Sequence, residues 1–166
     1  VRDPAVDIVK VAVVERHQRT GNVATAFLRG YGIKAGAVAL SIAHDSHNLI
    51  VVGVDDGEMA FAVEQLRKQE GGIVLVKAGK VIESMPMPIA GLMSDQSGEW
   101  VDQKLTAIHE AAYRELGVNA DVEPVMTLCF MSLAVIPEVK LTDMGLFDVT
   151  QFRFIPLEAD GAAQPE

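Results

Sequence analysis

From Leu49 to Val54 the chain reads LIVVGV, an unbroken apolar run rich in β-branched side chains. It is too short for a helix and shows no polar alternation, so it predicts a buried central strand. That one expectation demands a sheet around it. DIVKVAVV, residues 7 to 14, supplies a neighbouring strand, and ERHQRTGN after it carries turn chemistry with Gly21-Asn22. VATAFLRGYG and GAVALSIA read as two more strands, separated by Gly30, Gly32 and Gly36.

Helical signals follow the central run. Asp55-Asp56-Gly57 can open a helix, with an Asp accepting from the first free N–H groups, and Met59, Val63 and Leu66 share one face. Gly71-Gly72 ends it. GIVLVKAGKVIESMPMP predicts a hairpin turning at Ala78-Gly79, and the strand–helix–strand order predicts a crossover. Beyond Pro86 and Pro88, Ser94 or Asp95 is expected to cap the longest helix. Its stripe is Val101, Leu105, Ile108, Ala112 and Leu116, with Gly117 as the stop and His109 partly exposed beside the stripe. TLCFMSLAVIP fits a buried strand or a short helix. As a whole, Met126 to Ile136 reads as a core strand rather than a surface for a partner. LTDMGLFDVTQFRFIPL suggests a turn, a short helix or loop, then a last edge strand.

The expectation is an α+β fold, a mixed β-sheet covered by helices. It forms a single compact domain over residues 1–166, with a core at about 7–157 and a flexible tail at 158–166. No apolar run reaches the roughly 18 residues of a membrane span, and no basic-then-apolar leader is visible. The chain begins at Val1 rather than Met, which suggests a piece of something longer. A net charge of −9 with no basic cluster argues against a nucleic-acid partner and fits a cytoplasmic protein. The single cysteine, Cys129, sits in an apolar stretch as a small buried hydrophobe and allows no internal disulfide.

One segment does not serve the core. His44-Asp45-Ser46-His47-Asn48 lies between two strands and holds two of the four histidines. Asp, Ser and Asn favour turns through local backbone bonds, so a plain connecting turn is one reading. A loop that only connects strands needs no histidine, and a strand end is a rigid platform for binding groups. Metal ligation by His44 and His47 with Asp45 is a second reading, although a site built from adjacent residues is rare. A Ser46–His47–Asp45 triad is a third, but sequence neighbours seldom reach the required geometry. Glu15, Arg16 and His17, followed by Thr20-Gly21-Asn22, form a smaller polar group at another strand end, where Glu15 and Arg16 read as a solvated pair. The glycines at 30, 32 and 36 lack the spacing of a phosphate loop. Met85, Met87 and Met93 read as gap fillers or interface, and Trp100 as packing.

These words in combination carry a resemblance. ERH…TGN, AHDSHN, PIAGLMS and VIPEVKLTD, with the closing FRFIPL, resemble the carboxy-terminal domain of bacterial adenine deaminases from about Val11 to about Leu157. The resemblance implies an amidohydrolase-superfamily enzyme that converts adenine and water to hypoxanthine and ammonia. It also implies a Mn or Fe centre in a (β/α)₈ barrel that precedes this domain. This chain has no H-x-H motif and nothing matching the barrel's metal ligands, so no metal is expected in it and alone it is expected to be inactive.

On this basis His44, Asp45, Ser46 and His47 are the catalytic candidates. Ser46, His47 and Asn48 are candidates for contacting the purine, whose ring nitrogens accept and whose amino group donates hydrogen bonds. Glu15, Arg16 and His17 are expected to support the loop from behind. The expected partners are the barrel, adenine and further copies of the chain, with neither nucleic acid nor membrane. The competing expectations are that the loop only locks the domain to the barrel, or that the domain is a non-catalytic ligand-binding or oligomerisation module.

Overall fold

The computed structural model describes residues 6–158. The tail expected over 158–166 falls, beyond Glu158, outside them. The apolar run becomes strand β4 (Leu49–Gly53), buried along its whole length. Around it lie β1 (Ile8–Val14), β2 (Val23–Arg29) and β3 (Ala37–Leu40), then helix α1 (Asp56–Lys68), β5 (Gly72–Lys77) and β6 (Lys80–Pro86). The six strands form one sheet in the order β2-β1-β4-β3-β5-β6.

The architecture is α+β as expected, with one correction. The sheet was expected to be mixed, yet every pairing among the described residues is antiparallel. The crossover through α1 does exist, and β4 and β5 run the same way. Because β3 lies between them and pairs antiparallel with both, they never meet.

Period-two alternation builds two cores from one set of strands. Val38, Leu40, Ile50, Val52, Ile73 and Leu75 face one side. Helix α2 (Gly98–Arg114) and helix α3 (Pro124–Cys129) cover it through Ile108, Ala112 and Leu128. Ala37, Ala39, Val51, Val74 and Val76 face the other side and meet Met59, Ala62 and Leu66 of α1. The small side chains on that face let α1 lie close. At Gly53 even a Cβ would stand 2.7 Å from Met59 Cγ. Each fully buried Leu or Ile contributes roughly 1.5–3 kcal/mol.

The local signals are largely met. Asp55 caps α1, accepting from Gly57 N at 2.8 Å and Glu58 N at 3.3 Å. The β5–β6 turn uses Ala78 and Gly79, both at positive φ. The cap of α2 is Ser97, accepting from Trp100 N, rather than Ser94 or Asp95. Ser94 Oγ is taken by Gln96 N two residues on, closing a local turn instead.

Two expectations about the last third are corrected. Of the two readings of TLCFMSLAVIP the short helix holds at its start, and Met126 to Ile136 is not a core strand. Pro124 pre-sets a helical first turn and the Glu123 carboxylate accepts from Met126 N, so the short helix α3 forms there. Met126 sits on the exposed side of α3, and after the helix the chain turns outward, leaving Val135 and Ile136 exposed. Residues 139–155 do hold the expected turn and end in the expected edge strand, but strand stands where a short helix or loop was expected between them. They make a second antiparallel sheet of β7 (Val139–Thr142), β8 (Gly145–Asp148) and β9 (Arg153–Ile155). Its turn is held by Thr142, whose hydroxyl donates to Gly145 O and accepts from Met144 N, each at 3.1 Å. Phe147 stacks edge-on against Phe152 and Phe154, with ring centroids 5.2 Å apart in both pairs. No helix among the described residues is long and apolar enough to cross a membrane.

Candidate functional site

Four connections converge at one end of the six-stranded sheet. Val14 pairs with both Val23 and Leu49, so the β1–β2 loop and the end of the β3–β4 loop start side by side. The turn after β6 and the β7–β8 turn close in from either flank.

The β1–β2 loop folds around one carboxylate. Glu15 accepts from the backbone N–H of His17, from Gln18 N at 2.6 Å, and from Thr20 N and Thr20 Oγ1 at 3.1 Å. These donors, the Gln18 amide foremost, hold its pKa down at about 2. Glu15 and Arg16 are therefore not a solvated ion pair, since each is spent on backbone. Arg16 Nε donates to His47 O at 2.5 Å and Arg16 Nη2 to Ala90 O at 2.7 Å. Partial burial lowers the Arg16 pKa. His17 Nε2 lies 2.8 Å from Ser46 O, which makes Nε2 the protonated nitrogen. Arg16 and His17 thus hold the 44–48 loop by its carbonyls.

That loop is also fixed from within. His44 N donates to Cys129 O at 2.9 Å and His47 N to Ala43 O at 2.6 Å, with His47 at positive φ. The His44 ring packs on Phe130, centroids 5.1 Å apart, and meets the His47 ring edge-on at 6.1 Å. Asn48 is buried. Its Oδ1 accepts from Arg16 N at 3.3 Å and its Nδ2 donates to Asp143 Oδ1 at 3.1 Å. Asn48, expected to contact a purine, is therefore turned into the fold as a fastening.

The remaining candidates separate. His47 borders a hollow of about 390 Å³ together with Arg16, His17, Pro88, Gly91 and Leu92. Asp45 and Ser46, both exposed, border a different hollow of about 350 Å³, shared with Ser132, Thr142, Asp143 and Met144. The positive φ at His47 reverses the chain and sends neighbouring side chains to opposite flanks. Two polar atoms at these hollows are shielded and bond to nothing among the described residues, His47 Nδ1 and Ser132 Oγ. The only hydrogen bond Ser46 Oγ makes among the described residues is to accept from Asn48 N at 3.3 Å. Nothing joins Ser46, His47 and Asp45 as a relay. A larger apolar hollow of about 480 Å³ lies elsewhere, between α1 and the β1–β2 strands.

Metal ligation finds no donor set here. Among the described residues no three His, Cys, Asp or Glu side chains gather where an ion could be held. His44 and His47 meet edge-on, and Asp45 opens to the flank away from the His47 hollow. Cys129 is buried, and burial raises its thiol pKa to about 11. His109 Nε2 sits 2.6 Å from Glu123 Oε1, at the cap of α3 and away from these loops.

Ser132, Asp143 and Gly91 were not singled out as site residues. Gly91 and Asp143 lie inside the words PIAGLMS and VIPEVKLTD, which was the available signal. Ser132 is hidden in an apolar stretch.

Comparison with known proteins bears on this end of the sheet. Residues 1–153 match the family described as the adenine deaminase C-terminal domain. Adenine deaminase 2 of Desulfotalea psychrophila is 77% identical over 92% of this chain, and adenine deaminase of Ligilactobacillus salivarius is 53% identical over 93%. Adenine deaminase of Bacillus velezensis is 46% identical over 92%. The chain spans only 26–27% of the length of these relatives. On that agreement along nearly its whole length, the chain belongs to the adenine deaminase C-terminal domain family.

Proposed function

We propose that this chain is the carboxy-terminal part of an adenine deaminase, which converts adenine and water to hypoxanthine and ammonia. In this reading it completes or caps an active site on an amidohydrolase barrel that precedes it. The Mn or Fe centre belongs to that barrel, and the whole protein is a cytoplasmic oligomer. The observation that carries the reading is the exposed pair Asp45–Ser46, on a loop anchored through the carbonyls of Ser46 and His47 and the amides of His44 and His47. A fixed hydroxyl and carboxylate beside Ser132 and Asp143 offer donors and acceptors to the edge of a purine. His47 closes the other side of the same loop, and His44 and Asn48 hold it in place.

The test uses the full-length protein. Ser46→Ala and Asp45→Asn are expected to lower kcat about 10–100-fold while assembly and metal content stay at wild-type levels. Loss of assembly with unchanged turnover per assembled enzyme would instead assign the loop to domain packing. An open reading frame with no barrel of roughly 400 residues ahead of this domain would remove the enzymatic reading altogether.

A further inference from the structure

Arg16 is held rigidly and left without a counter-charge. Two of its guanidinium nitrogens are bonded to the carbonyls of His47 and Ala90, and the third, Nη1, has no hydrogen bond to any described residue. No carboxylate among the described residues lies within ion-pair distance of it, in a chain whose net charge is −9. Lys10 pairs with Asp56 and Lys104 with Glu83, and most described cations that lack an ion pair, such as Arg19, Arg29 and Lys80, are exposed, whereas Arg16 is partly buried. The guanidinium packs against Gly91, where a Cβ would stand 2.3 Å from Nη1, so only a glycine leaves room for it in the turn after β6. His17 and His47 border the same hollow.

A planar, pre-oriented guanidinium suits an oxyanion, and the charge count narrows the choice. Glu70 borders the hollow too and disfavours a doubly charged phosphate. One carboxylate balances one fixed cation. The surroundings suit a protein carboxylate better than a free acid. Pro88 and Leu92 line the hollow, and Ile89 and Met93 on the same turn are 46% and 58% exposed. An arginine ringed by exposed apolar side chains is the usual make-up of an interface anchor.

We propose that the Arg16–His47–Gly91 hollow is a docking socket for an aspartate or glutamate side chain of the portion of the polypeptide that precedes this domain. The inference rests on the reading that such a portion exists, as the 27% coverage of the relatives indicates. It makes Arg16 the anchor of the domain junction and leaves the Asp45–Ser46 flank free for substrate.

The test uses the full-length protein carrying Arg16→Lys. A carbodiimide joins an amine directly to a carboxylate in contact with it, and peptide mass mapping identifies the acid. A cross-link from position 16 to an Asp or Glu upstream of this domain is expected. A cross-link confined to Glu70, or none, overturns the socket. So does suppression of the cross-link by millimolar inorganic phosphate without domain release, which would mark a small-anion site. In parallel, Arg16→Met is expected to speed proteolytic separation of the two parts about tenfold, and an unchanged rate counts against the socket. Adenine deamination by the unmodified protein is assayed alongside. Turnover without the cross-link defeats the socket alone, whereas the cross-link without turnover defeats the proposed function alone.

Discussion

Ser41 Oγ donates to Gly91 O across 2.5 Å while accepting from Gly72 N at 2.8 Å, and the residue is completely buried. One hydroxyl thus joins the end of β3, the start of β5 and the turn that seats Arg16. Removing it orphans a buried carbonyl and a buried amide. Ser41→Ala is expected to lower stability by about 2 kcal/mol, whereas an exposed residue such as Gln103 changed to Ala costs under about 0.5 kcal/mol. Urea unfolding of both variants checks this.

The Glu15 carboxylate predicts an acid-sensitive loop. Its pKa in the folded protein is about 2, below the ordinary value of 4.5. A carboxylate depressed by folding adds stability that is fully present above 4.5 and lost as the pH falls toward 2. The amides of Gln18 and Thr20 are therefore expected to lose hydrogen-exchange protection over that window. In Glu15→Gln they start less protected and change little with pH.

Two glycines at similar positive φ separate strain from crowding. Gly21 has open space where a Cβ would go, while at Gly36 a Cβ would stand 1.9 Å from Val76 O. Gly21→Ala is expected to cost about 1–2 kcal/mol from backbone strain alone. Gly36→Ala adds overpacking at the β3–β5 pairing and is expected to cost about 3–5 kcal/mol in all. The difference between their denaturation midpoints measures the crowding.

Cys129 tests the packing of α3 against the loop. With its thiol buried and its pKa raised to about 11, it is expected to resist a thiol reagent at pH 8 until the domain opens. Labelling at the rate of an exposed cysteine would contradict its place in the core. Cys129→Ser puts a hydroxyl among apolar groups and is expected to cost about 1–3 kcal/mol.

The central sheet was legible because LIVVGV, DIVKVAVV and GIVLVKAGKVIESMP carry period and turn chemistry in the residues themselves. Asp55 and Ala78-Gly79 announce their structures locally. The second sheet was not legible. Its turn depends on the Thr142 side chain rather than on an Asn-Gly pair, and its strands are only four, four and three residues long. The 44–48 loop could be read as a functional candidate from its composition. The division of His47 from Asp45 and Ser46 could not, because it follows from one positive φ. The burial of Asn48 was hidden for another reason: its partner, Asp143, is 95 residues away.

That separation has a consequence for the growing chain. The strands on both sides of the polar loop leave the ribosome early, but the Asp143 oxygen that pins Asn48 follows 95 residues later. At about 5–20 residues per second this is a delay of roughly 5–20 s. Once β6 has emerged, the nascent domain can hold a finished six-stranded sheet with an unfastened tip until the β7–β8 hairpin arrives to lock it.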